Sequence, residues 1–70
     1  MNQKLFELFN FCGKNNIDFT YETSENGKNQ ITHSINETQR NILVKISDPE
    51  DENLDKLIDD KIKEFLSIIP

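Results

Sequence analysis

The stretch DPEDENLDKLIDDKIKEFLSII, residues 48–69, predicts one amphipathic helix against which we expect the rest of the chain to pack. Asp48 suits the capping position, Pro49 the first helical position, and the acidic residues that follow suit the positive end of the helix dipole. The apolar residues recur at spacings of three and four, which places them on one stripe of the helix. They are Leu54, Leu57, Ile58, Ile62, Phe65, Leu66 and Ile69.

A shorter helix is predicted at the N-terminus, with Asn2 as its cap and Gly13 as the left-handed residue at its C-terminal end. Its inward stripe is predicted to consist of Leu5, Leu8, Phe9 and Cys12, with Phe6 at the margin and Phe11 on the far side.

Three alternating segments predict strands between the helices. Their inward rows are Ile17, Phe19 and Tyr21, then Ile31, His33 and Ile35, then Ile42, Val44 and Ile46. A three-residue loop at residues 25–27, with Gly27 left-handed, would pair Tyr21 with Ile31 and keep both rows on one face. The polar residues 36–41 form the second connection.

We therefore expect an α+β fold of order α-β-β-β-α, a single domain over residues 1–70. The strands would form a three-stranded antiparallel meander with both helices packed on one face. The other sheet face would stay open to solvent, and it would carry Asp18, Thr20, Glu22, Thr32, Ser34, Leu43 and Lys45.

The formal net charge of −5 is unevenly distributed. Residues 48–64 contain eight acidic and three basic residues, whereas residues 1–47 contain five of each. Such a surface repels nucleic acids and anionic membranes and attracts basic protein surfaces. We therefore expect a basic protein as the partner, with no direct nucleic-acid contact and no membrane contact.

No residue pattern predicts an enzyme, a cofactor or a metal site. His33 alternates with core residues and has no evident orienting carboxylate, and Cys12 lies on an inward stripe, so we expect no catalytic residue. Residues 48–53 lack the glycine and the final glutamate of an EF-hand calcium loop. One cysteine, no signal peptide and no membrane-length apolar run predict a cytoplasmic protein.

The α-β-β-β-α order resembles that of double-stranded-RNA-binding domains over nearly the whole chain. In that family RNA is bound by polar residues of the first helix, by a Gly-Pro-x-His-type turn and by a Lys/Arg cluster that opens the last helix. The matching positions here are Glu7, residues 25–28 and residues 48–52. The turn lacks the proline and histidine, and the cluster is acidic instead of basic.

The small size, the layout and the acidity are also similar to those of phage-encoded inhibitors of CRISPR nucleases, which present carboxylates to a basic channel in place of nucleic acid. This resemblance implies that the partner-binding residues are Asp48, Glu50, Asp51, Glu52, Asp55, Asp59 and Asp60.

The sequence therefore favours a small acidic protein-binding module, a phage or mobile-element accessory protein that inhibits a basic nucleic-acid-handling partner by nucleic-acid mimicry. One alternative is a structural or assembly module that forms a homodimer through the open sheet face around Thr20, Ser34, Leu43 and Lys45, or through unpaired strand edges. Another is a degenerate double-stranded-RNA-binding domain.

We predict that the protein does not bind duplex RNA or DNA at physiological salt, because phosphate binding requires the positive charge that residues 48–52 lack. A mobility-shift assay with micromolar protein measures this. A shift that weakens steeply as salt is raised would contradict the prediction and favour the RNA-binding alternative.

Overall fold

The computed structural model describes residues 2–69 as an α+β arrangement of two helices and one three-stranded sheet. In chain order the elements are α1 (Gln3–Lys14), β1 (Asp18–Thr23), β2 (Gln30–Ile35), β3 (Arg40–Ile46) and α2 (Asn53–Ile68). The number and order of the elements therefore agree with the sequence-based prediction.

Helix α1 begins as the sequence predicts. The Asn2 side-chain oxygen accepts hydrogen bonds from the backbone N–H groups of Lys4, at 2.6 Å, and Leu5, at 3.3 Å. The predicted end was wrong, because Gly13 lies inside the helix and the left-handed residue is Asn16, with φ of 55°. Asparagine tolerates this conformation better than most residues, so the turn forms without a glycine.

The predicted antiparallel meander was wrong, because the strand order is β1-β3-β2. Strand β1 pairs in parallel with β3, from Asp18 opposite Asn41 to Thr23 opposite Ile46. Strand β2 pairs antiparallel with β3, so only this second hairpin of the predicted meander is present. Tyr21 and Ile31 do not pair with each other; they flank Val44 on its two sides.

The central position of β3 follows from its composition. It is the most apolar of the three strands, and its inner residues Ile42, Val44 and Ile46 are buried. A central strand is hydrogen-bonded along both backbone edges and has a neighbouring strand on each side. An apolar strand therefore loses the most contact with water when it takes the central position. Strands β1 and β2 contain mostly exposed residues and take the edges.

This strand order requires residues 24–29 to pass over the C-terminal end of β3. The crossing is held by Asn29, which is buried. Its side-chain oxygen accepts hydrogen bonds from the backbone N–H groups of Ser47, at 2.8 Å, and Asp48, at 2.9 Å. Its amide donates to the Asp48 carbonyl at 2.6 Å. Ser24 N–H donates to the carbonyl of Ile46 at 2.9 Å, which anchors the start of the crossing.

Helix α2 begins at Asn53, four residues after the predicted first helical position, Pro49. Asp48 does not cap it; residues 48–52 instead form turns in which Asp48 accepts a hydrogen bond from Glu50 N–H at 3.0 Å. A second short-range bond runs from Asn53 N–H to the Asp51 carboxylate at 2.9 Å. Because Asn29 holds the backbone of Asp48, the chain turns before it enters the helix.

One hydrophobic core joins both helices to the sheet. Helix α1 contributes Leu5, Leu8 and Cys12, helix α2 contributes Leu54, Ile58 and Phe65, and both sets pack with the inner row of β3. The two helices therefore cover the same face of the sheet, as predicted. Leu57, Ile62 and Ile69 are half-buried, and Leu66, predicted to face inward, is exposed.

Two aromatic positions in α1 were also predicted wrongly. Phe11, predicted to lie on the far side, packs against the core, whereas Phe9, predicted to face inward, is 49% exposed. The reason is that α1 packs against both α2 and β1. Its contact stripe is therefore rotated toward α2 relative to the stripe that the sequence periodicity alone predicts.

We predict that Asn29→Ala lowers the free energy of unfolding by about 1–3 kcal/mol, because the partly buried backbone N–H groups of Ser47 and Asp48 lose their acceptor. Denaturant titration followed by circular dichroism measures the loss. Asn26→Ala in the same segment is the matched control, since Asn26 is exposed, and it should change stability by less than about 0.5 kcal/mol. Equal effects of the two substitutions would contradict the role given to Asn29.

Candidate functional site

The excess negative charge lies before α2 and not on it. Residues 48–52, here called the acidic segment, contain four acidic residues and no basic one. Helix α2 itself contains four acidic and three basic residues. The segment that carries most of the net charge is thus a turn region at the C-terminal end of β3, fastened there by Asn29.

Within the acidic segment, Asp48, Glu50 and Glu52 are exposed and Asp51 is half-buried. The carboxylates of Asp48 and Asp51 each accept one backbone hydrogen bond. Asp51 also lines a cleft of about 320 Å³ together with Lys28 and Lys56. Because the side chains of Glu50 and Glu52 have no hydrogen bond or ion pair within residues 2–69, they are free to contact a partner.

The three predicted site residues on α2 have partners of their own. Asp55 accepts a long hydrogen bond of 3.4 Å from the Asn2 side chain, and Asp59 forms a 2.9 Å ion pair with Lys4. Asp60 forms a 3.0 Å ion pair with Lys56 one turn away. Asp55 and Asp59 thus contact Asn2 and Lys4, whereas Asp60 pairs along α2 and lines the same cleft as Asp51.

The Lys4–Asp59 pair connects the two helices. Its hydrogen bond and the charge of Asp59 raise the pKa of Lys4, so the lysine stays charged throughout the neutral range. Lys4 also lies 3.7 Å from Glu7 on its own helix. Asp59 therefore has a structural role in addition to any contact with a partner.

His33 lies in a polar group that the sequence pattern did not reveal. Lys61 Nζ lies 2.6 Å from His33 Nδ1 and donates to it, since an ammonium has no acceptor. The opposite ring nitrogen, Nε2, lies 3.7 Å from Glu64, and Lys61 completes the group with a 3.0 Å ion pair to Glu64. The imidazole also packs edge-on against Phe65, with ring centroids 5.3 Å apart.

This group joins β2 to α2. Only 12% of the Lys61 side chain is exposed, so its ammonium is satisfied by His33 and Glu64 instead of water. The hydrogen bond from Lys61 lowers the pKa of Glu64; partial burial opposes this effect, and the charges of Lys61 and His33 add to it. Within residues 2–69, the partners that surround His33 are Lys61, Glu64 and Phe65, none of which carries a hydroxyl or a thiol.

Cys12 lies in the core and is not brought to His33. Burial raises the pKa of its thiol to about 11, so the reactive thiolate is scarce at neutral pH. Within residues 2–69, no three His, Cys, Asp or Glu side chains are grouped as metal ligands are. The acidic segment therefore offers turns and carboxylates, but not the convergent oxygen shell that calcium requires.

The sequence reading missed an exposed aromatic surface along β1, here called the aromatic edge: Phe6, Phe9, Phe19 and Tyr21. Phe6 is 55% exposed and Tyr21 is 40% exposed, while Phe19 is half-buried. The ring centroid of Phe9 lies 6.4 Å from that of Phe6 and 5.4 Å from that of Phe19, against which Phe9 packs edge-on. Phe6 and Phe9 occur three residues apart, which is the spacing that could have indicated a second apolar stripe on α1.

The open sheet face is mostly polar. Its middle row runs Thr20, Leu43 and Thr32, and Leu43 is half-buried between the two threonines. The Asn41 amide donates to the Ser34 hydroxyl at 3.3 Å in the next row. A single partly covered leucine makes this face a weaker apolar surface than the aromatic edge.

Neither helix within residues 2–69 combines the length and the apolar character that crossing a lipid bilayer requires. The chain matches no family model, no curated protein and no solved structure. The interpretation of its function therefore depends on the arrangement of its own residues.

We predict that Glu64→Gln destabilises the protein at neutral pH and that the difference from the unmodified chain disappears as the pH falls. The pKa of Glu64 is lower in the folded protein than in the unfolded chain. Its carboxylate therefore stabilises the fold above the ordinary pKa of glutamate, and this stabilisation is lost as the pH falls through the pKa of the folded state. Denaturant titrations at several pH values measure this. Glu50→Gln is the control and should show no such trend, since the Glu50 side chain has no hydrogen bond or ion pair within residues 2–69.

Proposed function

We propose that this protein is a small acidic protein-binding module that occupies a basic, nucleic-acid-handling surface of a partner protein. The observation that supports the proposal is the placement of the negative charge. Four carboxylates lie in five consecutive residues without a basic neighbour in sequence, on a segment that Asn29 fixes to the sheet. A segment whose backbone is already held in place loses less conformational freedom when it binds a partner than a flexible segment does.

In this proposal Asp48, Glu50, Asp51 and Glu52 make the direct contacts. The partly paired Asp55, Asp59 and Asp60 extend the same negative potential along α2, which steers a basic surface during encounter. A compact row of carboxylates can compete with phosphates for the same Lys and Arg side chains. The expected consequence is inhibition of the partner's nucleic-acid binding.

The two alternatives receive less support. A double-stranded-RNA-binding role was expected to come with an antiparallel meander and basic contacts, and this chain has a mixed sheet and an acidic segment. Assembly through the open sheet face would rely on Leu43, which is already half-buried.

The proposal predicts that neutralising the acidic segment abolishes partner capture without unfolding the protein. The test variant carries Asp48→Asn, Glu50→Gln, Asp51→Asn and Glu52→Gln; the side chains replaced are exposed or half-buried, and the amides can still accept the backbone hydrogen bonds. Immobilised unmodified chain and variant are exposed to the same cell lysate, and retained proteins are eluted with duplex DNA.

The expected result is a set of nucleic-acid-binding proteins that the unmodified chain retains, that duplex DNA releases and that the variant does not retain. Retention should weaken as salt is raised, because the contacts are between exposed charges. The matched control replaces Glu7, Glu25 and Glu37, three exposed acids elsewhere in the chain, with glutamine, and it should retain the same proteins as the unmodified chain. Equal capture by the four-site variant would overturn the proposal.

A further inference from the structure

The aromatic edge contains three of the large hydrophobic residues that remain exposed, Phe6, Phe9 and Tyr21. Phe6 and Phe9 lie on the flank of α1 that faces β1, and Phe19 and Tyr21 lie on the helix-facing side of β1. An exposed cluster of this kind in a small protein commonly marks an interaction surface.

The backbone beside this cluster is also without a partner. Strand β1 is an outer strand, hydrogen-bonded to β3 on one side only. Five of its six residues are exposed. An exposed strand edge is a template for the addition of another extended chain. Here the apolar side chains of α1 lie on one side of the place where such a chain would be added.

The other side of β1 carries negative charge. Asp18 and Glu22 lie on the open sheet face, two residues to either side of Thr20, and both are exposed. Glu22 neighbours Lys45 of β3 in the register, but neither Asp18 nor Glu22 has an ion pair within residues 2–69. A chain added at this edge would thus meet aromatic rings on one face and two carboxylates on the other.

This charge disfavours a second copy as the occupant. The antiparallel register that stacks Phe19 of one copy on Tyr21 of the other also places Asp18 directly opposite Glu22, twice per dimer. Like charges directly opposite each other destabilise a strand pair, so the register that stacks these rings is disfavoured between two copies.

We propose that the β1 edge binds an extended segment of a partner protein in which Lys or Arg alternates with apolar residues. The segment adds to the sheet beside β1, its apolar side chains pack under Phe6 and Phe9, and its basic side chains face Asp18 and Glu22. This proposal goes beyond the proposed function. It takes from that function only the basic character of the partner, and it assigns to the β1 edge a second contact in addition to those of the acidic segment.

The test uses a capped peptide of the length of β1 that alternates lysine and valine, with binding followed by fluorescence anisotropy. We expect saturable binding that the double variant Asp18→Lys/Glu22→Lys weakens by about tenfold, as expected for two reversed cross-strand charge pairs. A peptide that alternates glutamate and valine should bind this double variant and not the unmodified chain.

Two further probes separate strand addition from charge attraction. A peptide of the same composition with all lysines in one block should bind at least about tenfold more weakly, because it cannot present one basic and one apolar face. Two peptides are compared, one N-methylated at the odd positions and one at the even positions. Only one of the two should lose binding, because the N–H groups of alternate residues point to opposite edges of a strand and only one edge pairs with β1.

Variants at the aromatic edge complete the test. Phe6→Ser should weaken peptide binding severalfold, whereas Leu66→Ser, an exposed apolar residue of α2, is the matched control and should not. Self-association of the unmodified chain that Phe6→Ser abolishes would overturn the proposal in favour of a second copy.

The outcome can also be separated from that of the proposed function. Peptide binding that the β1 variants leave unchanged but that neutralisation of the acidic segment abolishes would overturn the β1 proposal and leave the proposed function in place. The lysate experiment with the four-site variant tests the proposed function separately, because it does not use the peptide. Peptide binding that only the β1 variants weaken supports the inference.

Discussion

The side chain of Asn29 makes the hydrogen bonds on which the rest of the architecture depends. Its carboxamide binds the backbone N–H groups of Ser47 and Asp48 and the carbonyl of Asp48. These bonds attach the segment between β1 and β2 to the point where the chain leaves β3. Without them, the backbone N–H groups of Ser47 and Asp48 would lose their acceptor. The crossing would then rely on the bond from Ser24 N–H to the Ile46 carbonyl and on the bond from the Ser47 hydroxyl to the Gly27 carbonyl.

The same attachment determines where the charge is displayed. Because Asp48 is held at the end of β3, residues 48–52 form turns outside the core and α2 begins only at Asn53. Glu50 and Glu52 consequently form no ion pair with the lysines of α2 within residues 2–69, whereas Asp51 lines a cleft with Lys56. Helix α2 itself is nearly neutral and is joined to its neighbours by charged contacts, Asp59 with Lys4 of α1 and Lys61 with His33 of β2.

The strand order also divides the surface into regions of different chemistry. With β3 in the centre, the more polar strands β1 and β2 become the two edges. The edge of β1 combines aromatic side chains with unpaired carboxylates, whereas β2 is joined to α2 by the group of His33, Lys61 and Glu64. We propose the acidic segment and the β1 edge as the two partner surfaces, and both carry carboxylates without an ion pair within residues 2–69.

The sequence by itself determined the element types, because the alternation of Ile42, Val44 and Ile46 and the spacing of Leu54, Ile58 and Phe65 depend only on local geometry. It also determined the Asn2 cap and the buried residues Leu5, Leu8 and Cys12. The strand order, the late start of α2, the exposure of Phe9 and the partners of His33 were decided by the tertiary structure alone. Each depends on contacts between residues distant in sequence, such as Asn29 with Asp48, and local periodicity contains no information about which distant groups meet.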